Sequence, residues 1–493
     1  MLSEFKKKFN GESKSSRELS QAHWFDIAQR LSEETGETPD PLQIKARAIM
    51  EALDLPLGEF SALETNEKGE RVNPRADKTI AEMLTNKAGV IIDEEKGITS
   101  SDFRDIYPKG LPKKLKNALD PDTRAIMEIE YEHAEHARDR YKNAKDGAKV
   151  DRSVYWFCLP GGVSLFIRGY NHSYPWQKAH GEFLQKINQH AKVVVVEGTV
   201  GFSPESALHA WWRNPKLQQG HYDTLMHETV KGGFGGLFAE VDARDISKVQ
   251  MDSTGDFVSP LLPEKFFEKY FEFLKKEHPK LTEKIGTPQN LEGMLKKHSM
   301  TREGLFGRGL AVVRGGKKYI SYPYLTQDGE TSIEPSFLEL GQFLFSDALA
   351  AIKLLLIAKL MKDGHIEKGP IIDYEGAAHI SSKAFFLRYP GYAMEVVLRT
   401  INELMAGKVE NLPEIYKVFE NPNWEEVIRE IVRIPFAEVE NDPVKSVEIG
   451  PNQRELFDHP IDILEIYGIN PAEVIPSEEE AKEIIKQFIN YKI

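Results

Sequence analysis

The sequence predicts an α/β fold: a mixed sheet core with two halves, each a strand ending in Gly-x-x-His, flanked by helices, plus a helical N-terminal extension and a helical C-terminal tail. Three observations carry this expectation. Short apolar runs lead into Gly169-Tyr170-Asn171-His172 and Gly376-Ala377-Ala378-His379. Stretches with helical spacing alternate with these runs, as they do in proteins that cover a parallel sheet with helices. The first 150 residues hold few apolar runs and several helical ones, so the expected division is 1–150 for the extension, 151–405 for the core and 406–493 for the tail.

In chain order, apolar spacing predicts helices over residues 21–33, 42–53 and 121–144. In the third, Glu128, Glu132 and His136 follow one another at i, i+4 and i+8 along one face, a spacing that could ligate a metal. No H-E-x-x-H is present, and Glu130, Glu135, Arg138, Asp139 and Arg140 around them point to a solvated charged face. Asp146-Gly147-Ala148-Lys149 reads as the link into the core. The strand Val154 to Leu159 carries the only cysteine, Cys158, which reads as a buried thiol rather than a nucleophile.

A glycine at a strand's exit can take positive φ and turn the chain, leaving the next side chains at the carboxyl edge of the sheet, where α/β proteins place their chemistry. The first such copy continues through a helix over 177–190, with Ala179, Phe183, Leu184 and Ile187 on one face, into Val193-Val194-Val195-Val196-Glu197. Glu197 then ends a core strand beside the tip of the preceding parallel strand, so His172 and Glu197 are expected neighbours. Gly232-Gly233-Phe234-Gly235-Gly236 fits neither a dinucleotide nor a phosphate loop and reads as a flexible loop or a site of close packing. An amphipathic helix over 266–276 and a hairpin turning on Gly315-Gly316 follow. Trp211-Trp212 reads either as cover for the site's mouth or as ordinary packing.

The second copy is entered from an apolar helix with Ser346 as N-cap, running to Met361 and broken at Lys362-Asp363-Gly364. The strand Pro370 to Tyr374 follows, with Glu375 before the motif glycine. Aligned on their glycines, the copies place Arg168 where the other has Glu375. Helices over 393–405 and 477–491 complete the chain, the last docking on the core or on a second copy.

The layout Gly169-x-x-His172, helix, strand ending in Glu197, and distal helix leading to Gly376-Ala377-Ala378-His379 resembles the TraB/Tiki superfamily. That group includes TraB-type pheromone-shutdown proteins and Tiki metalloproteases, with ChaN-like haem-binding proteins and erythromycin esterases as remoter kin. The resemblance covers residues 151–405, with its motif-bearing parts at the two ends. It implies that His172, Glu197 and His379 are active-site positions and that the activity is proteolytic. Leu237 to Asp245 resembles the family's internal strand followed by a D-x-R element, which brings in Arg244. The chain departs from the family at two places: Ser346-Asp347 stands where members often carry an arginine, and Ile380-Ser381-Ser382-Lys383 follows the second histidine.

Two imidazoles and one or two carboxylates at a sheet edge can hold a divalent metal with an open position, and such an ion makes its bound water acidic enough to supply hydroxide near neutral pH. The expected function is therefore a metal-dependent hydrolase acting on a peptide or small-molecule substrate, the ion being manganese, cobalt or zinc. His172 and His379 are its ligands, Glu197 a ligand or general base, and Glu375 the second carboxylate. Glu375 could instead form an ion pair with Arg168 across neighbouring strand ends. Arg244 would stabilise an oxyanion or bind a substrate carboxylate, or pair with Asp242 or Asp245. Without metal, one histidine would act as general base on water oriented by Glu197. The rival class is a binding or regulatory protein that uses the cleft for haem or a peptide.

Composition bounds these readings. A net charge of -13 over 493 residues argues against a nucleic-acid groove, which needs a basic footprint. The N-terminal sequence lacks the apolar core of a signal peptide and no run is long enough for a membrane span, so the expected location is the cytoplasm, without membrane partners. A homo-oligomer stays open.

Overall fold

The computed structural model describes residues 16–56, 64–65, 71–72, 113, 117, 119–141, 154–159, 161–170, 181–196, 229, 231–241, 262–263, 265–277, 282–283, 285–299, 310–314, 317–321, 344–376, 379–403, 424–438 and 459–492. The helices are α1 (Ser16–Thr35), α2 (Pro41–Ala52), α3 (Pro121–Tyr141), α4 (Gly181–Asn188), α5 (Phe266–Glu277), α6 (Pro288–Ser299), α7 (Leu344–Lys362), α8 (Ile380–Arg388), α9 (Pro390–Glu403), α10 (Trp424–Val432), α11 (Ile463–Ile466), α12 (Pro471–Val474) and α13 (Glu478–Lys492). The strands are β1 (Glu64–Thr65), β2 (Arg71–Val72), β3 (Val154–Leu159), β4 (Val163–Tyr170), β5 (Val193–Val196), β6 (Leu237–Glu240), β7 (Leu310–Arg314), β8 (Lys317–Ser321), β9 (Ile371–Gly376), β10 (Ile434–Glu438) and β11 (His459–Ile461).

Seven strands form one mixed sheet in the order β11-β10-β6-β5-β9-β4-β3. The four inner strands, β6, β5, β9 and β4, are parallel. Antiparallel strands close both sides: β3 beside β4, and β10 then β11 beside β6. β5 is not the neighbour of β4, as the Val193-to-Val196 run after the first motif suggested, because β9 lies between them. Strands buried on both faces have to be apolar throughout, and Val193, Val194, Val195, Ile371 and Ile372 are all essentially inaccessible. The stretch after residue 405, expected to be helical, supplies β10 and β11 as well as its helices. Among the described residues, no helix is long and apolar enough to cross a membrane.

Alternation along β9 sends Ile371, Asp373 and Glu375 to one face of the sheet and Ile372 and Tyr374 to the other. The second face takes α4, and Tyr374 donates its hydroxyl to Asn188 Oδ1 at 2.6 Å. The first face takes α7, whose residues are buried nearly all round, as befits a helix apolar on every side. α7 begins at Leu344, so Ser346 is not its N-cap but a buried residue inside its first turn, and Gly364 with φ of 81° ends the turn beyond it. α8, α9 and α10 pack against α7. α5 adds Phe266, Tyr270 and Phe273, whose rings meet Phe385 of α8 at 5.5, 5.0 and 5.6 Å.

The first helices are joined to this core. Ala46, Ile49 and Met50 of α2 belong to the same apolar cluster as α7 and the sheet. Asp40 caps α2, accepting from the Leu42 and Gln43 backbone amides at 2.8 and 3.0 Å while Gln43 reaches back to the Asp40 amide at 3.0 Å. The C-terminal helix docks on the chain's own beginning: Ile484 packs with Trp24, Ile27 and Ala28, and buried Lys45 of α2 reaches Glu478 at 3.2 Å. At the other end of the sheet Gly236 leads into β6 so close to β5 that a Cβ there would lie 2.3 Å from Lys192 O, which makes the glycine-rich segment a point of close packing. β7 and β8 pair antiparallel with Arg314 opposite Lys317, as the hairpin expected there requires, while Gly315 and Gly316 lie outside the described residues.

Candidate functional site

β4 runs on through its motif glycine to Tyr170, and β9 extends as far as its own, Gly376. In the paired strands Gly169 is opposite Glu375 and Tyr170 opposite Gly376, an offset of one residue from the alignment of the two motifs on their glycines. Arg168 is opposite Tyr374 and does not take Glu375 as its partner in the way the strand ends suggested. It reaches instead to Glu130 of α3 through Nε at 2.8 Å and Nη2 at 3.3 Å, with its guanidinium carbon 4.3 Å from the Phe183 ring centre. Glu130, expected on a solvated face, is thus 1% exposed. A buried carboxylate needs a partner, and the forked guanidinium gives it two donors.

Glu375 faces a different cation. Asp373 and Glu375 project from β9 toward α8, where Lys383 donates to Asp373 Oδ2 at 2.9 Å and also contacts Glu375. His379 is the N-cap residue of α8, and Ser382 and Lys383 follow it at i+3 and i+4, so the three share one face of that helix's first turn. Opposite them the first turn of α7 supplies Asp347, which takes His379 Nδ1 on Oδ1 at 2.6 Å and the Ser382 hydroxyl on Oδ2. Because a carboxylate accepts and does not donate, Nδ1 carries a ring proton toward Asp347. Ser382 donates to Asp347 and not to the imidazole, which sets the hydroxyl apart from a serine–histidine nucleophile pair.

Asp347, Asp373 and Glu375 are each 1% exposed, Lys383 4% and His379 7%. Three carboxylates therefore share one ammonium and one imidazole away from water. Burial pushes the Glu375 carboxyl up to about 8, with Asp373 and Asp347 adding to the rise while Lys383 and His379 oppose it. Burial also raises Asp373, against the pull of Lys383. Burial works against charge on Lys383 itself, but Asp373 and Glu375 outweigh it and hold the ammonium above its ordinary range. Tyr270 of α5 is raised by burial and by Asp347.

The same side chains line a small cavity of about 10 Å³ with Val241, Ser346 and Ala350. That is room for about one water or ion and far too little for a haem. Among the described residues Glu375 Oε1 is a buried oxygen with no hydrogen-bond partner. Asp347, Glu375 and His379 each offer a ligand atom within 4.8 Å of the others. Two carboxylate oxygens and one imidazole nitrogen suit zinc, manganese or cobalt, and an orphaned buried oxygen is what a cation would satisfy, so the donor set fits a divalent ion.

Of the residues expected from sequence, the structure brings together His379 and Glu375. His172, Glu197 and Arg244 lie outside the described residues. Asp347, Asp373, Ser382 and Lys383 were not among the expected site residues. The signal within reach was local: Ser382 and Lys383 follow His379 at i+3 and i+4, on the same face of the first turn of α8. Comparison with protein-family models, with curated proteins and with solved structures finds no match for this chain.

Proposed function

We propose that the protein is a divalent-metal-dependent hydrolase whose ion is held by Asp347, Glu375 and His379 at the carboxyl edge of the parallel strands. The observation that supports this most is the convergence of those three buried donors on a cavity of about 10 Å³. When bound, the ion supplies a water acidic enough to be ionised near neutral pH. The protein's own residues set up the rest. Asp347 fixes the imidazole of His379 through Nδ1, and Ser382 holds Asp347 in that orientation. Lys383 compensates Asp373 and one side of Glu375. Glu375 keeps one oxygen, Oε1, without a hydrogen-bond partner, and that oxygen is the one it offers to the ion.

A metal-free hydrolase is the second reading, favoured by the rise in Glu375, which leaves that side chain a neutral proton donor at pH 7 while His379 acts as the base. Elemental mass spectrometry on untagged protein purified without chelators separates the two. The expected result is a near-stoichiometric ion in the wild type that is lost in Asp347→Asn and in His379→Ala, with folding retained by circular dichroism. A wild type that stays empty after dialysis against manganese, cobalt and zinc overturns the metal reading.

A further inference from the structure

The proposed ion accounts for Asp347, His379 and one oxygen of Glu375, and it leaves a second group of donors beside it. Asp373 Oδ2 and the far side of Glu375 face each other across the Lys383 ammonium, which is in contact with both. Asp373 is boxed in by its lateral partners, Ile167 on β4 and Val195 on β5, neither of which offers a counter-charge. Two carboxylates two residues apart on one strand face, with an ordered cation between them, are arranged as the walls of a cation site. Glu375 belongs to both groups, as a bridging carboxylate does between paired metal ions, and two-ion hydrolytic sites are a common solution to the same chemistry.

We infer that the Lys383 ammonium occupies a second cation position, bounded by Asp373 and Glu375, so that Lys383 fixes the site at one divalent ion. This rests on the reading of Asp347, Glu375 and His379 as metal ligands, although the Lys383 position can be tested without it. A tethered ammonium is a single charge that cannot be diluted away. It neutralises part of the buried acid cluster permanently, and it leaves the exchangeable ion to the three donors on the His379 side. The consequence for the reaction is that one ion, and not a pair, would face the substrate, with the ammonium as a fixed positive point beside it.

The test is metal stoichiometry in Lys383→Met, measured on the full chain by elemental mass spectrometry after equilibration with manganese or zinc and gel filtration. Lys383→Met keeps the stem and removes the charge. The expected count is one ion per chain in the wild type, two in Lys383→Met, and one again in Asp373→Asn/Lys383→Met, where the second pair of carboxylates is broken. Equal counts in wild type and Lys383→Met overturn the inference while leaving the first metal site standing. A wild type without metal beside a Lys383→Met chain holding one ion refutes the metal reading of the wild type and overturns the inference that the site is fixed at one ion. No ion in either chain refutes both. Where Lys383→Met folds poorly, Lys383→Gln keeps a hydrogen-bond donor for Asp373, and thermal melts with and without manganese supply the readout. The expected result is a manganese-dependent rise in melting temperature larger in the variant than in the wild type, because the ion then replaces a missing charge. An equal or smaller rise overturns the inference.

Discussion

Glu375 and Arg168 both bring an ionisable group into the interior, and each has its own remedy. For Arg168 the remedy is Glu130, and breaking one partner leaves the other charged and dry. Arg168→Met is expected to destabilise the protein by about 3–5 kcal/mol. Arg168→Met/Glu130→Leu should recover most of that loss, and the denaturant midpoints of the two variants measure it. For Glu375 the folded value of about 8 lies above its ordinary 4.5, so the native state keeps a proton that the unfolded chain gives up. The resulting stability is fully present below about 4.5 and is lost as pH rises through about 8. Metal-free protein should therefore melt at progressively lower temperature across that window, and Glu375→Gln should flatten the decline. A wild type and variant with parallel pH profiles would contradict the assignment of that proton to Glu375.

At the scale of elements, the site was legible where a local signal marked it. His379 and Glu375 stood out because a strand and a glycine pattern flank them. Ser382 and Lys383 were within reach, since i+3 and i+4 from the histidine share its helix face, but α8 itself was missed: it has only nine residues and is hemmed in by Tyr389-Pro390, where the residue before proline is steered out of helical geometry. Asp347 had no local mark, because it meets His379 across 32 residues of chain and only when α7 lies against β9. Helices α1, α2 and α13 were each visible from their apolar spacing, whereas their mutual docking was left open. That docking is expected to be energetically real. Phe488 of α13 is 1% exposed and meets the Phe25 ring edge-on at 6.3 Å, so Phe488→Ala should cost about 3 kcal/mol or more. Selective loss of helical signal from the α1, α2 and α13 layer at low denaturant would show that the cost falls on that layer.

For the molecule as a whole, the fold class was readable and the strand order was not. Sequence proximity favours pairing β4 with β5, yet β9 inserts between them and completes hydrogen bonding on both sides. Hydropathy cannot reveal this, because Val193 to Val196 would be equally well buried beside either neighbour. The central position of β9 sets an expectation for hydrogen exchange. Amides of β9 and β5 should exchange only through global unfolding, while those of β3 and β11 at the two edges should exchange earlier. Early exchange in β9 would show that the site is carried on a locally labile strand.

The placement of β9 also bears on how the chain comes off the ribosome. About 180 residues separate Val193 from its partner Ile371, and pairings this distant are slow to form. Throughout that interval of synthesis β4 and β5 exist without the strand that joins them, each presenting an apolar, unpaired edge. Nascent chains stopped before β9 should therefore be ready substrates for chaperones, and a site whose acidic residues sit on β9 and on α7 comes into being only once β9 has been made and has entered the sheet.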